Sequence, residues 1–373
     1  MALQASGPIS FSQIVNEFGL PPGRNLGAYR ISSPPIGSLS GLPLDAGIPQ
    51  SGPIGFSSFY SKRLNVVVDL YSVPENSTRL IIKNRYKPDN AVTIIGGWKQ
   101  PIDLPLNGDG KRIIANVNRT IGSEKTGTNY CALRTGSWGT DVNLEVVVGP
   151  AGTIIGAGGD GGDGGGINFG SAGNGGTGSS ALGLQYPTKV INGGSIIAGT
   201  GGGGGGGGAY GQETNSQRRC DANGYNALTP RIGGAGGGGG RGLPSGNGGL
   251  GNSEFARLGN KPGGGSGTPG GPGGPGSLLS NGAGGAGGII IPQDGYSCNN
   301  PGNRDARSGA GGGGGAGGAN GLSFRPNNFE TRNASTPGAA GPSGYAIIES
   351  TPGNLISFTG TAVEGTNVIS TVV

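Results

Sequence analysis

Histidine is missing from all 373 residues. That excludes Ser-His-Asp and Cys-His catalysis, and any zinc or haem site that relies on a histidine ligand. Three cysteines cannot complete an all-cysteine tetrahedral zinc site, and their odd number argues against a disulfide framework. Charged residues make up only 12% of the chain, and no acidic cluster offers the paired carboxylates of a glycoside hydrolase. No run of eighteen apolar residues occurs, so no membrane span is expected. The opening MALQASGPIS lacks the basic and apolar regions of a secretory signal. These absences lead to the expectation of a non-enzymatic protein without cofactor or metal.

Glycine fills the gap. The chain has 90 glycines and 26 prolines, and 69 of the glycines fall between residues 151 and 350. A helical bundle is excluded there, because glycine costs about 1 kcal/mol per helix position against alanine. Net charge is +5, a sign that suits an acidic partner such as phosphate, an anionic glycan or a negatively charged cell surface. One Gly-Arg-Gly at 240–242 is too sparse for an RNA-binding segment, so no nucleic-acid partner is expected.

Residues 1–64 hold an imperfect repeat: SGPISFS at 6–12 is echoed by SGPIGFS at 51–57. Ser10 or Ser12 is placed to cap a short helix that Gly19 closes. The stretch between the copies is rich in Pro, Gly and Ser and reads as irregular. The segment reads as an extended docking arm that buries Phe11, Ile14, Phe18, Phe56 and Tyr60 against another protein. The alternative is a small self-contained cap.

Residues 65–149 read as β structure. Runs rich in Val and Ile at 65–73, 78–83, 91–95, 111–117 and 142–148 are separated by turn formers, which predicts a small β-sandwich serving as a spacer. The tail, 351–373, returns to strand-like alternation and reads as a separate C-terminal β segment.

Between them, at 150–350, glycine tracts recur at 158–166, 201–208, 233–240, 263–276, 282–288 and 309–318. Collagen requires glycine at every third position with other residues between, which the unbroken run 201–208 does not show. Disorder is the compositional default. The third option is a bundle of polyproline-II helices, in which every N–H and C=O points outward and bonds to a neighbouring backbone. Similar tract lengths and the regular alternation with richer loops favour the bundle. Short aliphatic motifs at the tract borders, such as Ile154-Ile155 and Ile196-Ile197, would seal its faces. The fold class is therefore mainly β and irregular: docking arm, β-sandwich, then a glycine bundle with long end loops.

Rigid scaffolds carry function on their loops. The segment 209–232 holds Tyr210, Arg218, Arg219, Cys220 and Tyr225. The segment 292–308 holds Tyr296, Cys298, Arg304 and Arg307, and 322–337 holds Phe324, Arg325 and Phe329. Tyr and Arg dominate recognition surfaces, so these are the candidate receptor-binding residues. Cys220 and Cys298 either bridge two such loops or are unrelated thiols. Asp160 and Asp163 resemble a calcium-binding nonapeptide, but the pattern does not recur.

The opening Ser6–Gly19 wording with its echo, together with the glycine region, resembles glycine-rich tail-fibre and receptor-recognition proteins of tailed bacteriophages. The glycine region is similar to the adhesin that caps the long tail fibre of some T-even-like phages. The resemblance covers about two thirds of the chain. It implies packed polyproline-II helices, distal loops that touch a bacterial surface glycan or outer-membrane protein, and a place in the virion tail beside other fibre or baseplate proteins. Homotrimers and monomeric tips both occur in that family. The rival readings are a purely structural fibre or baseplate connector and, more distantly, an ice-binding protein, which glycine polyproline-II bundles also form.

Overall fold

The computed structural model describes residues 3–31, 39, 41–70, 77–78, 80–86, 92–94, 104–124, 127–166, 171–213, 231–252, 255–256, 266–268, 270–287, 289–291, 306–307, 309, 311–316, 322–323, 329–333, 336–365 and 369–370.

The β region is a coil rather than a sandwich. Its first turn is β1 (Asn65–Asp69), β2 (Ser77–Thr78) and β3 (Leu80–Ile81), and β4 (Val92–Ile94) lies antiparallel on β1. The second turn is β5 (Arg112–Val117), β6 (Thr120–Gly122) and β7 (Cys131–Arg134). The third is β8 (Asn143–Val148), β9 (Thr153–Ile155) and β10 (Ser180–Leu184). The fourth opens with β11 (Thr188–Asn192) and β12 (Ser195–Ile197). Each strand pairs in parallel with its counterpart one turn away, so the chain winds as a three-faced parallel β-helix.

Stacking in register builds an aliphatic ladder on each face. Val68, Ala115, Val146, Val190 and Phe358 align on the first face. Ile121, Ile154 and Ile196 align on the second. Leu80, Leu133, Leu182 and Ile347 align on the third. Most of these side chains are fully buried, each contributing about 1.5–3 kcal/mol of apolar burial. The sandwich expectation fails because short strands with polar turns suit either architecture. The repeat that would mark a coil has no constant period here.

Two glycine insertions leave this coil between its strands. Residues 156–179 connect β9 to β10, and the chain does not return from β12 until residue 346. The excursion carries, far from the coil, β13 (Ala209–Glu213), β14 (Arg231–Ile232), β15 (Phe255–Ala256), β16 (Ser266–Thr268), β17 (Ile289–Ile291), β18 (Ala306–Arg307), β19 (Leu322–Ser323) and β20 (Phe329–Asn333). Then β21 (Ile347–Glu349) completes the fourth turn, and β22 (Leu355–Gly360) and β23 (Ile369–Ser370) form the fifth. The described residues after 350 are thus the last turn of the same coil. The aliphatic border motifs Ile154-Ile155, Ile196-Ile197 and Ile347-Ile348 are strands of the coil.

The described glycine tracts are A (156–166), B (171–179), C (198–208), D (233–241), E (242–252), F (270–276), G (281–287), H (309 and 311–316) and I (336–344). They contain neither helix nor strand, and they bond sideways with a three-residue period. From tract A, the N–H groups of Gly158, Gly161 and Gly164 donate to tract E, and those of Gly159, Gly162 and Gly165 donate to tract C. Tract D gives Gly234, Gly237 and Gly240 to tract A, Gly236 and Gly239 to tract F, and Ala235 and Gly238 to tract H. Tracts C and D are enclosed by the others and buried along 201–208 and 233–240. The surrounding tracts expose one residue per three: Asp160 and Asp163 in tract A, Pro244, Asn247 and Leu250 in tract E, Pro272 and Pro275 in tract F.

The N-terminal segment is not an extended arm. Its helix Phe11–Phe18 starts at a Ser10–Gln13 capping box and ends at Gly19, φ 85°. Ile14 and Phe18 are fully buried with Tyr29, Leu44 and Phe59 in the same core as the strands of the coil. Lys111 Nζ donates to Glu17 Oε2 at 2.5 Å, and the Leu64 N–H donates to Glu17 Oε1. Apolar anchors 14 and 18 find their partner surface within the chain itself, which leaves Phe11 and Tyr60 partly covered and Phe56 44% exposed.

Candidate functional site

At the end of the bundle away from the coil, the tracts run into two antiparallel sheets. One has the order β15-β14-β13-β20, the other β16-β17-β18-β19, and β13 lies beside β18 while β19 lies beside β20. Tract C continues directly into β13, and β14 leads directly into tract D. The three richest segments therefore start and finish at this one end: 214–230 joins β13 to β14, 292–305 joins β17 to β18, and 324–328 joins β19 to β20.

Three of the residues singled out from the sequence lie in these strands. Tyr210 stands in β13 opposite Arg231 on one side and Arg332 on the other. Phe329 opens β20 opposite Glu213. Arg307, in β18, is in register with Ile289 and Leu322. Arg218, Arg219, Cys220, Tyr225, Tyr296, Cys298, Arg304, Phe324 and Arg325 lie outside the described residues. The strand pairing adds Arg231 to the set. Its signal in the sequence was its place just before a glycine tract, mirroring Tyr210 just after one.

Elsewhere the ionisable groups serve the fold. Asp160 and Asp163 turn their Oδ1 atoms onto the N–H groups of Asn247 and Leu250, both at 2.7 Å, and so fasten tract A to tract E. Arg112 forks onto both oxygens of Glu145 across neighbouring turns of the coil. Glu349 accepts from the N–H groups of Gly353 and Leu355 and shapes the turn into β22. Burial pushes the Cys131 thiol up to about 11, and this cysteine is free. Burial, with the Asp109 carboxylate adding to it, pushes the Tyr86 phenol up to about 12. Among the described residues no three His, Cys, Asp or Glu side chains group as a metal site, and no helix is long and apolar enough to cross a membrane.

No family model matches the chain, and no curated protein matches it. Among solved structures it is similar to the gp37–gp38 adhesin tip complex of the bacteriophage S16 long tail fibre. Identity is 17%, the TM-score is 0.32, and the match covers 99% of this chain and 100% of that one.

Proposed function

We propose that the chain is a non-enzymatic, tail-associated bacteriophage protein of the virion that binds a host cell-surface receptor. Its glycine tracts are polyproline-II helices, for which the three-residue repeat of their hydrogen bonds is the support: that helix has three residues per turn and rises about 3.1 Å per residue. A tract of eight residues then spans about 25 Å and holds the far-end strands at a fixed distance from the coil. The receptor is a bacterial surface glycan or outer-membrane protein, met by the Tyr- and Arg-rich segments between β13 and β14, β17 and β18, and β19 and β20. Residues 1–64, at the other end, join the chain to fibre or baseplate proteins. Several copies per particle supply avidity.

The observation that carries this reading is that the strands flanking the three richest segments meet at one end of a backbone-bonded block. The test replaces residues 214–230 with a short Gly-Ser linker. Host-cell binding of the purified chain is expected to fall at least about tenfold, with an unchanged melting temperature. Undiminished binding by a folded variant removes the receptor role from that segment.

A further inference from the structure

The sequence repeat in residues 1–64 is also a structural repeat. Gly7 and Gly52 both have positive φ, 90° and 76°. Each is followed by Pro and Ile, then by a capping position, Ser10 or Gly55, and then by a helical turn that begins at Phe11 or Phe56. The equivalent later positions, Ile14 and Phe59, are both fully buried. The core therefore uses the second half of each copy. It makes little use of the first half, where Ser6, Gly7, Pro8 and Ser51, Gly52, Pro53 are exposed.

Both exposed halves are held in place from outside. The Gly7 carbonyl accepts from the Tyr60 hydroxyl, and the equivalent Gly52 carbonyl accepts from the Arg30 guanidinium. Arg30 also donates to the Pro49 carbonyl at 2.9 Å. The two copies are neighbours, since Ser61 N–H donates to the Gln4 carbonyl and the Lys62 carbonyl accepts from the Leu3 N–H. Each Gly-Pro loop thus has its glycine carbonyl bonded by a side chain from elsewhere in the segment, and a phenylalanine opens the helical turn that follows it.

Charge selects the partner. The segment has two carboxylates, Glu17 and Asp45. Glu17 is buried against Lys111, and Asp45 is turned onto the N–H groups of Gly47 and Arg63. No carboxylate among the described residues pairs with Arg30. The outward charge beside the loops is basic.

Resting on the tail-protein reading above, we infer that Pro8, Phe11, Pro53 and Phe56 form a double docking surface for an acidic segment of another tail protein. That segment offers two apolar side chains, one to each loop, with a carboxylate that meets Arg30. Preformed loops lose little entropy on binding, and a partly exposed aromatic is the usual anchor of such a contact.

The test uses particles assembled without this chain and the full-length purified chain added back. Phe56→Ser and, separately, Pro8→Glu are expected to lower the amount retained on particles at least about tenfold. Both should bind host cells as the unaltered chain does, which also reports that they are folded. Retention of the unaltered chain should weaken at high salt. Retention of both variants at the unaltered level, salt-insensitive retention, or self-association of the chain through Phe56 would each overturn the inference. Should the unaltered chain itself fail to join particles, the tail-protein reading fails and takes this inference with it. Loss of host-cell binding in the 214–230 replacement alone bears only on the receptor.

Discussion

At Gly204 an added Cβ would stand 2.0 Å from the Gly338 carbonyl oxygen. At Gly203 it would stand 2.1 Å from that of Gly312, and at Gly205 1.9 Å from that of Asp163. Three successive positions thus meet three different neighbouring tracts. This is why positions 201–205 leave no room for a side chain. In tract F, by contrast, a Cβ on Gly274 would find its nearest atom at 3.5 Å, an ordinary contact. Ala235, the one non-glycine at 233–240, has the longer N–H bond, 3.3 Å to Gly309, against 2.8 Å for Gly237 and Gly238. Gly204→Ala is therefore expected to destabilise by about 3 kcal/mol. Gly274→Ala should be neutral or stabilise by up to about 1 kcal/mol, because it restricts the unfolded chain. Chemical denaturation of the two variants checks the contrast, and equal effects would mean that the tracts are not packed as described.

At the scale of the element, each tract reads as a three-residue code. Enclosed tracts are all glycine or nearly so, and wall tracts place a side chain at every third residue, as Asp160 and Asp163 or Pro272 and Pro275 do. Proline fits the wall because it has no N–H to leave unbonded there. Backbone bonds in a closed lattice break only together. The amides of Gly202, Gly203, Gly205 and Gly237 are accordingly expected to exchange with deuterium as slowly as those of Val146 and Ile154 in the coil. Exchange within seconds at these glycines would dissolve the platform. Much of this was legible in the sequence: the capped helix ending at Gly19, the strands near 65, 112 and 143, and the sideways-bonded glycine. The coil was not legible, because its fourth turn is completed by Ile347, which follows β12 only after the whole bundle. The folding-back of residues 1–64 was hidden too. An exposed anchor and a buried one, Phe56 and Phe59, look alike without knowledge of what lies opposite. Of the candidate site, composition marked the segments, while the pairing of Tyr210 with Arg231 and Arg332 required the topology.

For the whole molecule, the decisive joint is between the N-terminal segment and the coil, since it fixes the docking end relative to the bundle. Glu17 and Lys111 are its buried polar link, with both side chains 4% exposed. Burial lifts the Glu17 carboxyl above its usual 4.5, against the opposing pull of Lys111 and of the Leu64 N–H. The folded state therefore holds that proton more tightly than the unfolded chain. The contribution of Glu17 to stability is greatest below pH 4.5 and is lost as pH rises through the lifted value. Lys111→Met removes the compensating cation and leaves a buried carboxylate, which costs about 3–5 kcal/mol when ionised. The penalty is expected to be larger at pH 8 than at pH 5, because a falling pH favours the protonated carboxyl. In the double variant Glu17→Gln, Lys111→Met, the amide still accepts from Leu64 and no charge is buried, so most of the stability should return at both pH values. Urea unfolding of the full chain at the two pH values measures this. A penalty that does not vary with pH, or a double variant no better than Lys111→Met, would show that the ion pair is not what locks residues 1–64 onto the coil.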